Sequence, residues 1–295
     1  MTAAILQTPP PLGAGPRRAW RYLTAFDPLA KIAMLTLGGL FLVALLGQLF
    51  GLGGSTTQMV GPRLAPPGPG WILGTDSLGR SLLPRLLEGI TTTLLLSTVA
   101  VLLTALISTT CGIIAGYHGG RVGGFIMRIG DILYAFPALI LAILVATVVG
   151  PGYIAALASI VLVTVPLMTR MVGATSRSVA QRDFVTSALI SGVSTPRIMA
   201  RHLLVNVSGT VAVQGTYALS VAILVEGGLS FLGYGVQLPG SSLGLLIQEG
   251  TVYMVKSPLL LLAPGIVLVI AILCINIIGD SLRDRFEPRE VRSLD

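Results

Sequence analysis

The chain has 295 residues, of which 53% are hydrophobic and 11% charged, with a net charge of +7 and a mean hydropathy of +0.88. Soluble chains carry about 25% charged residues, so a domain this poor in charge cannot cover its own surface. These figures exclude a cytosolic enzyme, a disordered chain and a nucleic-acid binder, and leave a multi-span, all-α membrane protein.

A helix needs about 20 apolar residues to cross the hydrocarbon core. Residues 1–29 form a tail with Pro9, Pro10, Pro11 and Pro16, then Arg17, Arg18 and Arg21. The first apolar run has full span length and no convincing cleavage pattern after it, which reads as an uncleaved anchor at 30–50. A Gly/Pro-rich stretch follows, with Pro62, Pro66, Pro67 and Pro69. It belongs to a loop over 51–89. There Leu78, Leu82, Leu83, Leu86 and Leu87 recur at helical spacing with Arg80, Arg85 and Glu88 between them, predicting a short amphipathic helix on the membrane surface. The second span covers 90–117. His118-Gly119-Gly120-Arg121 makes a tight turn before the third span, 124–149, which contains Asp131 and Pro137. Gly150-Pro151-Gly152 turns the chain into the fourth span, 153–172.

Hydrophobicity then drops over a polar loop, 173–206. Val185, Ala188 and Leu189 give one apolar face, and Gly192 stands where that helix ends. Ser194-Thr195-Pro196 restarts a helix, whose face carries Ile198, Met199, His202 and Leu203. This predicts a helix–turn–helix parallel to the membrane, with one face on the chain's own span ends and the turn free to enter another protein. The fifth span is 207–232, with Glu226 near its end. A loop over 233–257, a sixth span over 258–278 and a charged tail over 279–295 complete the chain.

With the N-terminus in the cytoplasm, fifteen of the nineteen Lys and Arg residues fall inside and four (Arg63, Arg80, Arg85 and Lys256) fall outside. That asymmetry supports six spans with both termini cytoplasmic. Cys111 and Cys274 each stand alone in an apolar stretch with no metal-ligand spacing. Asp131 and Glu226 are ionisable groups in or near spans and so are functional candidates. The favoured reading places each near an interface as a structural or gate residue, with Asp131 paired to Arg128. The competing reading makes them proton relays of a stand-alone secondary transporter. His202 reads as a packing residue, since no carboxylate or nucleophile is spaced to work with it.

Several stretches resemble one family. Thr186-Ser187-Ala188, then Ser191-Gly192-Val193-Ser194, then His202, resembles the Glu-Ala-Ala loop of ABC importer permeases, with Thr186 in place of Glu and Ser187 in place of the first Ala. Gly74-Thr75-Asp76-Ser77-Leu78-Gly79-Arg80 resembles an extracytoplasmic motif of the dipeptide/oligopeptide/nickel importer permeases, with Ser81 where Asp usually follows. The stretches Met127–Asp131 with Ala135-Phe136-Pro137, Glu226–Gly233 (which includes Phe231) and Gly279–Asp284 resemble the family's third-span, fifth-span and C-terminal signatures. The marks run in family order, and the C-type dipeptide permease is the nearest pattern.

The resemblance implies a type I ABC importer permease fold in a bacterial inner membrane. It makes 173–206 the ATPase-coupling loop, and Asp131, Pro137, Glu226 and Phe231 gate or pathway candidates. It also implies four partners: a homologous second permease, two P-loop ATPase subunits and an extracytoplasmic substrate-binding protein. ATP and Mg would be bound by the ATPase subunits. The chain's own lysines, Lys31 and Lys256, follow Ala30 and Val255, so it has no P-loop and needs no cofactor.

Overall fold

A computed structural model describes residues 27–286. The basic residues at 17, 18, 21, 289 and 292, and most of both tails, lie outside the described residues. The helices in chain order are α1 (Pro28–Leu49), α2 (Leu82–His118), α3 (Gly120–Tyr134), α4 (Ala138–Val149) and α5 (Tyr153–Ala180). They continue with α6 (Asp183–Ile190), α7 (Thr195–Ile198), a π-helical turn (Met199–Leu203), α8 (Leu204–Phe231), α9 (Leu243–Val252) and α10 (Leu259–Phe286). Among the described residues there is no strand, only three isolated bridges, all within 59–81.

By length and composition α1, α2, α5, the continuous Thr195–Phe231 helix and α10 are each long and apolar enough to cross a membrane. A sixth span results if α3 and α4, bent by 93° at their break, act as one. Pro137 makes the break. It has no N–H to give to a continuing helix, and it disfavours helical geometry at Phe136 before it.

The centre of the bundle is α2 against α5 and α5 against α8, with α10 on α8 and α1 at the edge on α2 and α10. Small residues set the closest approach. A Cβ on Gly112 would stand 2.8 Å from Val172, and one on Gly116 2.6 Å from the Ser176 side chain. Hydroxyls between helices are satisfied locally. Thr104 and Thr164 share a 2.7 Å hydrogen bond, and Ser159 donates to the Ala142 carbonyl at 2.9 Å.

Two expectations change. The predicted surface helix around 78–87 is no separate element. From Leu82 onward it is the first turns of α2, with Leu82, Leu86 and Leu87 buried in a core with α1, α9 and α10. Pro84 is accommodated because the first turn needs no intrahelical N–H bond. Over 173–206 the change is in the bounds around the expected helix–turn–helix, since α5 runs on past 172 to Ala180 and Thr195 begins the helix that becomes α8. Only the short links around Gln181 and Gly192 are non-helical.

Candidate functional site

The 74–80 motif folds as a buried clasp. Gly74 and Gly79 hold positive φ of 87° and 79°, which glycine alone adopts without strain. Each packs so closely on a carbonyl of the preceding loop, Ala65 O and Gly61 O, that a side chain could not enter. The Thr75 hydroxyl donates to Pro62 O at 2.5 Å and accepts from Ala65 N at 2.8 Å. Asp76 Oδ1 accepts from the backbone N–H of Leu78 and Arg80 at 2.8 and 2.9 Å. Its Oδ2 accepts from Arg80 Nε and Arg85 Nη1, both at 2.6 Å. Arg85 Nη1 also reaches Glu249 Oε2 at 2.7 Å, and Ser77 donates to Glu249 Oε1 at 2.6 Å. Both arginines are buried, so the two cations between the leucines form the interior of a charge network and not a solvated face.

Glu226 lies at the same end of the bundle and is 0% exposed. Thr93 donates to its Oε2 at 2.8 Å and Ser230 to its Oε1 at 2.7 Å. Those hydroxyls accept in turn from Leu243 N and Val236 N. The carboxyl thereby ties α2, α8 and the 232–243 link together. Phe231, at the end of α8, is partly exposed.

At the other end, Thr186, Ser187 and Ala188 lie in α6. Gly192 follows with φ +78°, Gly192 N donates to Leu189 O and Val193 N to Ala188 O. This is a Schellman cap, the geometry that the glycine there requires. Ser194 is the N-cap of α7 and Pro196 occupies its first turn. Val185, Ile198 and Leu203 are buried with Val172, Val179 and Val207 of the adjoining spans. Leu189, expected on that face, is exposed together with Phe184 and with Ile190, which is 82% exposed. His202 lies on the π turn, half-buried, its ring 6.0 Å from that of Phe184.

The broken span carries the third group. Asp131 on α3 pairs with Arg170 on α5, and not with the expected Arg128. The Arg170 guanidinium also lies over the Tyr134 ring, 5.4 Å from its centroid. Beside them is a cavity of about 560 Å³, lined by the whole break from Leu133 to Ala138 and by residues of α5 and α8 that include Leu167, Gln214 and Tyr217. Pro137 is in its wall, whereas Glu226 and Phe231 are not. The four gate candidates therefore divide between the cavity and the clasp end.

Sequence reasoning missed Glu249, Thr93 and Arg170 as partners. Arg85 and Glu249 are 164 residues apart, and no local spacing announces such a pair. Arg170, two residues before the end of the apolar 153–172 run, is visible in the sequence as a cation but without its partner.

The family described as "Binding-protein-dependent transport system inner membrane component" matches residues 108–292. The chain is 35% identical over 219 residues to the di/tripeptide transport system permease protein DppC of Pseudomonas aeruginosa, covering 74% of this chain and 72% of that protein. It is 32% identical over 273 residues to the dipeptide transport system permease protein DppC of Alkalihalophilus pseudofirmus, covering 92% and 90%. Among solved structures, an inward-facing MetNI methionine ABC transporter chain superposes with a TM-score of 0.55 at 18% identity, over 70% of this chain and 97% of that one, and shows the shared fold. With that fold, those relatives and a family match over most of its spans, the chain belongs to the inner-membrane components of binding-protein-dependent transport systems, the non-catalytic permease subunits of ABC importers whose ATP is hydrolysed by a partner.

Proposed function

We propose that this chain is one of two related permease subunits in an importer of di- and oligopeptides. It would work with two P-loop ATPase subunits that bind ATP and Mg and with an extracytoplasmic substrate-binding protein. The relatives named for dipeptide and di/tripeptide transport support the substrate class. The positive-inside asymmetry supports cytoplasmic termini and a cytoplasmic 173–206 loop. In that frame the 74–80 motif is extracytoplasmic, and the α6–α7 turn meets the ATPase.

The mechanism is alternating access. The observation that carries it is the continuity of helix from Thr195 through the π turn to Phe231. A push on the exposed α6 face is delivered at Gly192 to the base of a helix that reaches the opposite end of the bundle. The buried side of the same loop keeps it seated on α5 and α8, so it moves with them. ATP binding would close the ATPases, shift this lever and open the spans outward, and hydrolysis would reverse it.

Gly192→Trp tests the lever. The site has open space around it but a backbone that a side chain strains. Mutations along a coupling route shift coupling by about 0.5–2 kcal/mol, so peptide uptake falls about twofold to thirtyfold at matched expression while ATP hydrolysis by the assembled complex persists. Normal uptake per ATP in that variant would remove the 173–206 loop from the coupling route.

A further inference from the structure

Asp131 and Arg170 form an ion pair that the bundle leaves half open, with side chains 58% and 48% exposed. The pair is not at a helix end. Arg170 lies ten residues before the end of α5 and Asp131 eleven after the start of α3, about 15 Å in each case at 1.5 Å per residue. At that level Gly130 packs on Pro166, and two residues past Arg170 Val172 packs on Gly112 of α2, inside the bundle. Arg170 stands two residues before the end of the apolar 153–172 run, where the span gives way to polar helix, and a charge pair at that level can keep contact with water.

The remaining valences of the pair are open. Among the described residues Arg170 gives one Nη2 donor to Asp131 and its face to Tyr134, which leaves further donors of the guanidinium fork unused. Asp131 uses Oδ1, and its Oδ2 is free among the described residues. The pair adjoins the cavity at the break through Tyr134, whose ring lies under the guanidinium and lines the cavity, and the other walls are largely apolar.

We propose that the Asp131–Arg170 pair is a charged station of the translocation pathway that receives the two termini of a zwitterionic peptide, the carboxylate on the free donors of Arg170 and the ammonium on the free oxygen of Asp131, with side chains lying in the cavity at the Pro137 break. This rests on the peptide-importer reading above. The chemistry suits passage. The pair is neutral overall, so it replaces part of the termini's hydration without holding either charge against an unbalanced opposite. A permeant must be bound firmly enough to enter and loosely enough to leave. Because the pair joins α3 to α5 across the broken span, occupancy is also felt at the bend.

The test uses the assembled complex in lipid nanodiscs, with Cys111 and Cys274 replaced by Ala, and carries either Phe136→Cys or Leu167→Cys, exposed cavity walls that leave the Asp131–Arg170 pair intact. Labelling by a charged, membrane-impermeant thiol reagent is followed with and without dialanine, and with its N-acetylated, C-amidated form. Both cysteines label. Dialanine at about ten times its Kd slows labelling about tenfold, while the capped peptide has little effect. No labelling in any nucleotide state would put the cavity beside the pair against lipid or a partner chain and overturn the proposal. So would labelling that dialanine does not slow. Arg170→Lys and Arg170→Gln, which keep the native Asp131, guard against misfolded cysteine variants. Loss of charge-assisted hydrogen bonds lowers dialanine uptake about tenfold or more in Arg170→Gln, with Arg170→Lys between it and wild type. Equal uptake by all three would also overturn the station. Wild-type complex that accumulates no dialanine would refute the peptide reading separately, since its ion pair is intact.

Discussion

The two ends of the bundle solve opposite problems. At the end built from the 51–81 segment, α9 and the start of α2, charged groups are taken into the interior and closed on one another, with Asp76 bound by two backbone N–H groups and two guanidinium groups. At the α6–α7 end no charged side chain is buried among the described residues, and Phe184, Leu189 and Ile190 stand in the open. The first end closes its ion pairs within this chain, with Arg85 Nε and Nη2 left buried without a partner among the described residues and Ile72 and Val255 exposed beside it. The second leaves Phe184, Leu189 and Ile190 uncovered by this chain, and in the proposed function the ATPase covers them. An end that must keep its shape can carry the heavy desolvation of a buried ion network, because its partners are covalently present. An end that must engage and move with a separate subunit keeps its affinity in apolar surface, which can be covered without stranding a charge.

That contrast breaks most sharply at Arg85. Its Nη1 bridges Asp76 and Glu249, and all three groups are buried or nearly so. Arg85→Met leaves two carboxylates with one cation, Arg80, bound to only one of them. Removing one member of a buried pair costs about 3–5 kcal/mol. Thermal unfolding of the detergent-solubilised variant should show that loss, and it should exceed the loss from any single substitution at the α6–α7 end. A stability equal to wild type would mean that the network is open to water and the clasp is ordinary surface.

Glu226→Gln gives the next effect. Each hydroxyl that donates to Glu226 already accepts a backbone N–H, so a new amide N–H in place of a carboxyl oxygen forces one hydroxyl to turn away. The expected destabilisation is about 1–3 kcal/mol, read in the same unfolding experiment. Glu226→Asp, which keeps the acceptors but shortens the reach, should also destabilise. If the Gln variant folds as wild type but loses transport outright, Glu226 acts in transport and not in holding the 232–243 link.

Much of this arrangement is legible in the sequence, and the failures share a cause. The spans follow from apolar length alone. Gly192 can be read as a helix stop because a Schellman cap has a local residue requirement, and Pro137 can be placed inside a span for the same kind of reason. The 93° angle at Pro137 cannot, since proline sets where a helix breaks while the neighbours α5 and α8 set how far it bends. Arg80 and Arg85 look like a polar face because helical spacing says which residues share a side and not what covers it. Their cover is Asp76 and, from far along the chain, Glu249 on α9. The extension of α5 to Ala180 escapes a hydropathy reading because hydropathy falls at Gly173, yet Ser176 and Val179 remain buried and the helix continues on packing.

The smallest effect on this chain's own stability belongs to the open end, at Ile190. With its side chain outside every core of this chain, Ile190→Ser should shift unfolding by no more than about 0.5 kcal/mol in either direction. Five residues earlier on the same helix, Val185 is buried against the span ends, and Val185→Ser loses about 1.5–3 kcal/mol of apolar burial. The two variants separate the two faces of α6. Docking reverses their order if Ile190 is covered by the ATPase. The same apolar burial is then lost from the interface, and the Ile190 variant binds the ATPase about tenfold or more weakly in a pull-down titration. Equal binding by Ile190→Ser and wild type would move the contact to another part of the turn. Destabilisation of the isolated chain by Ile190→Ser would mean that this end, like the clasp, finds its cover at home.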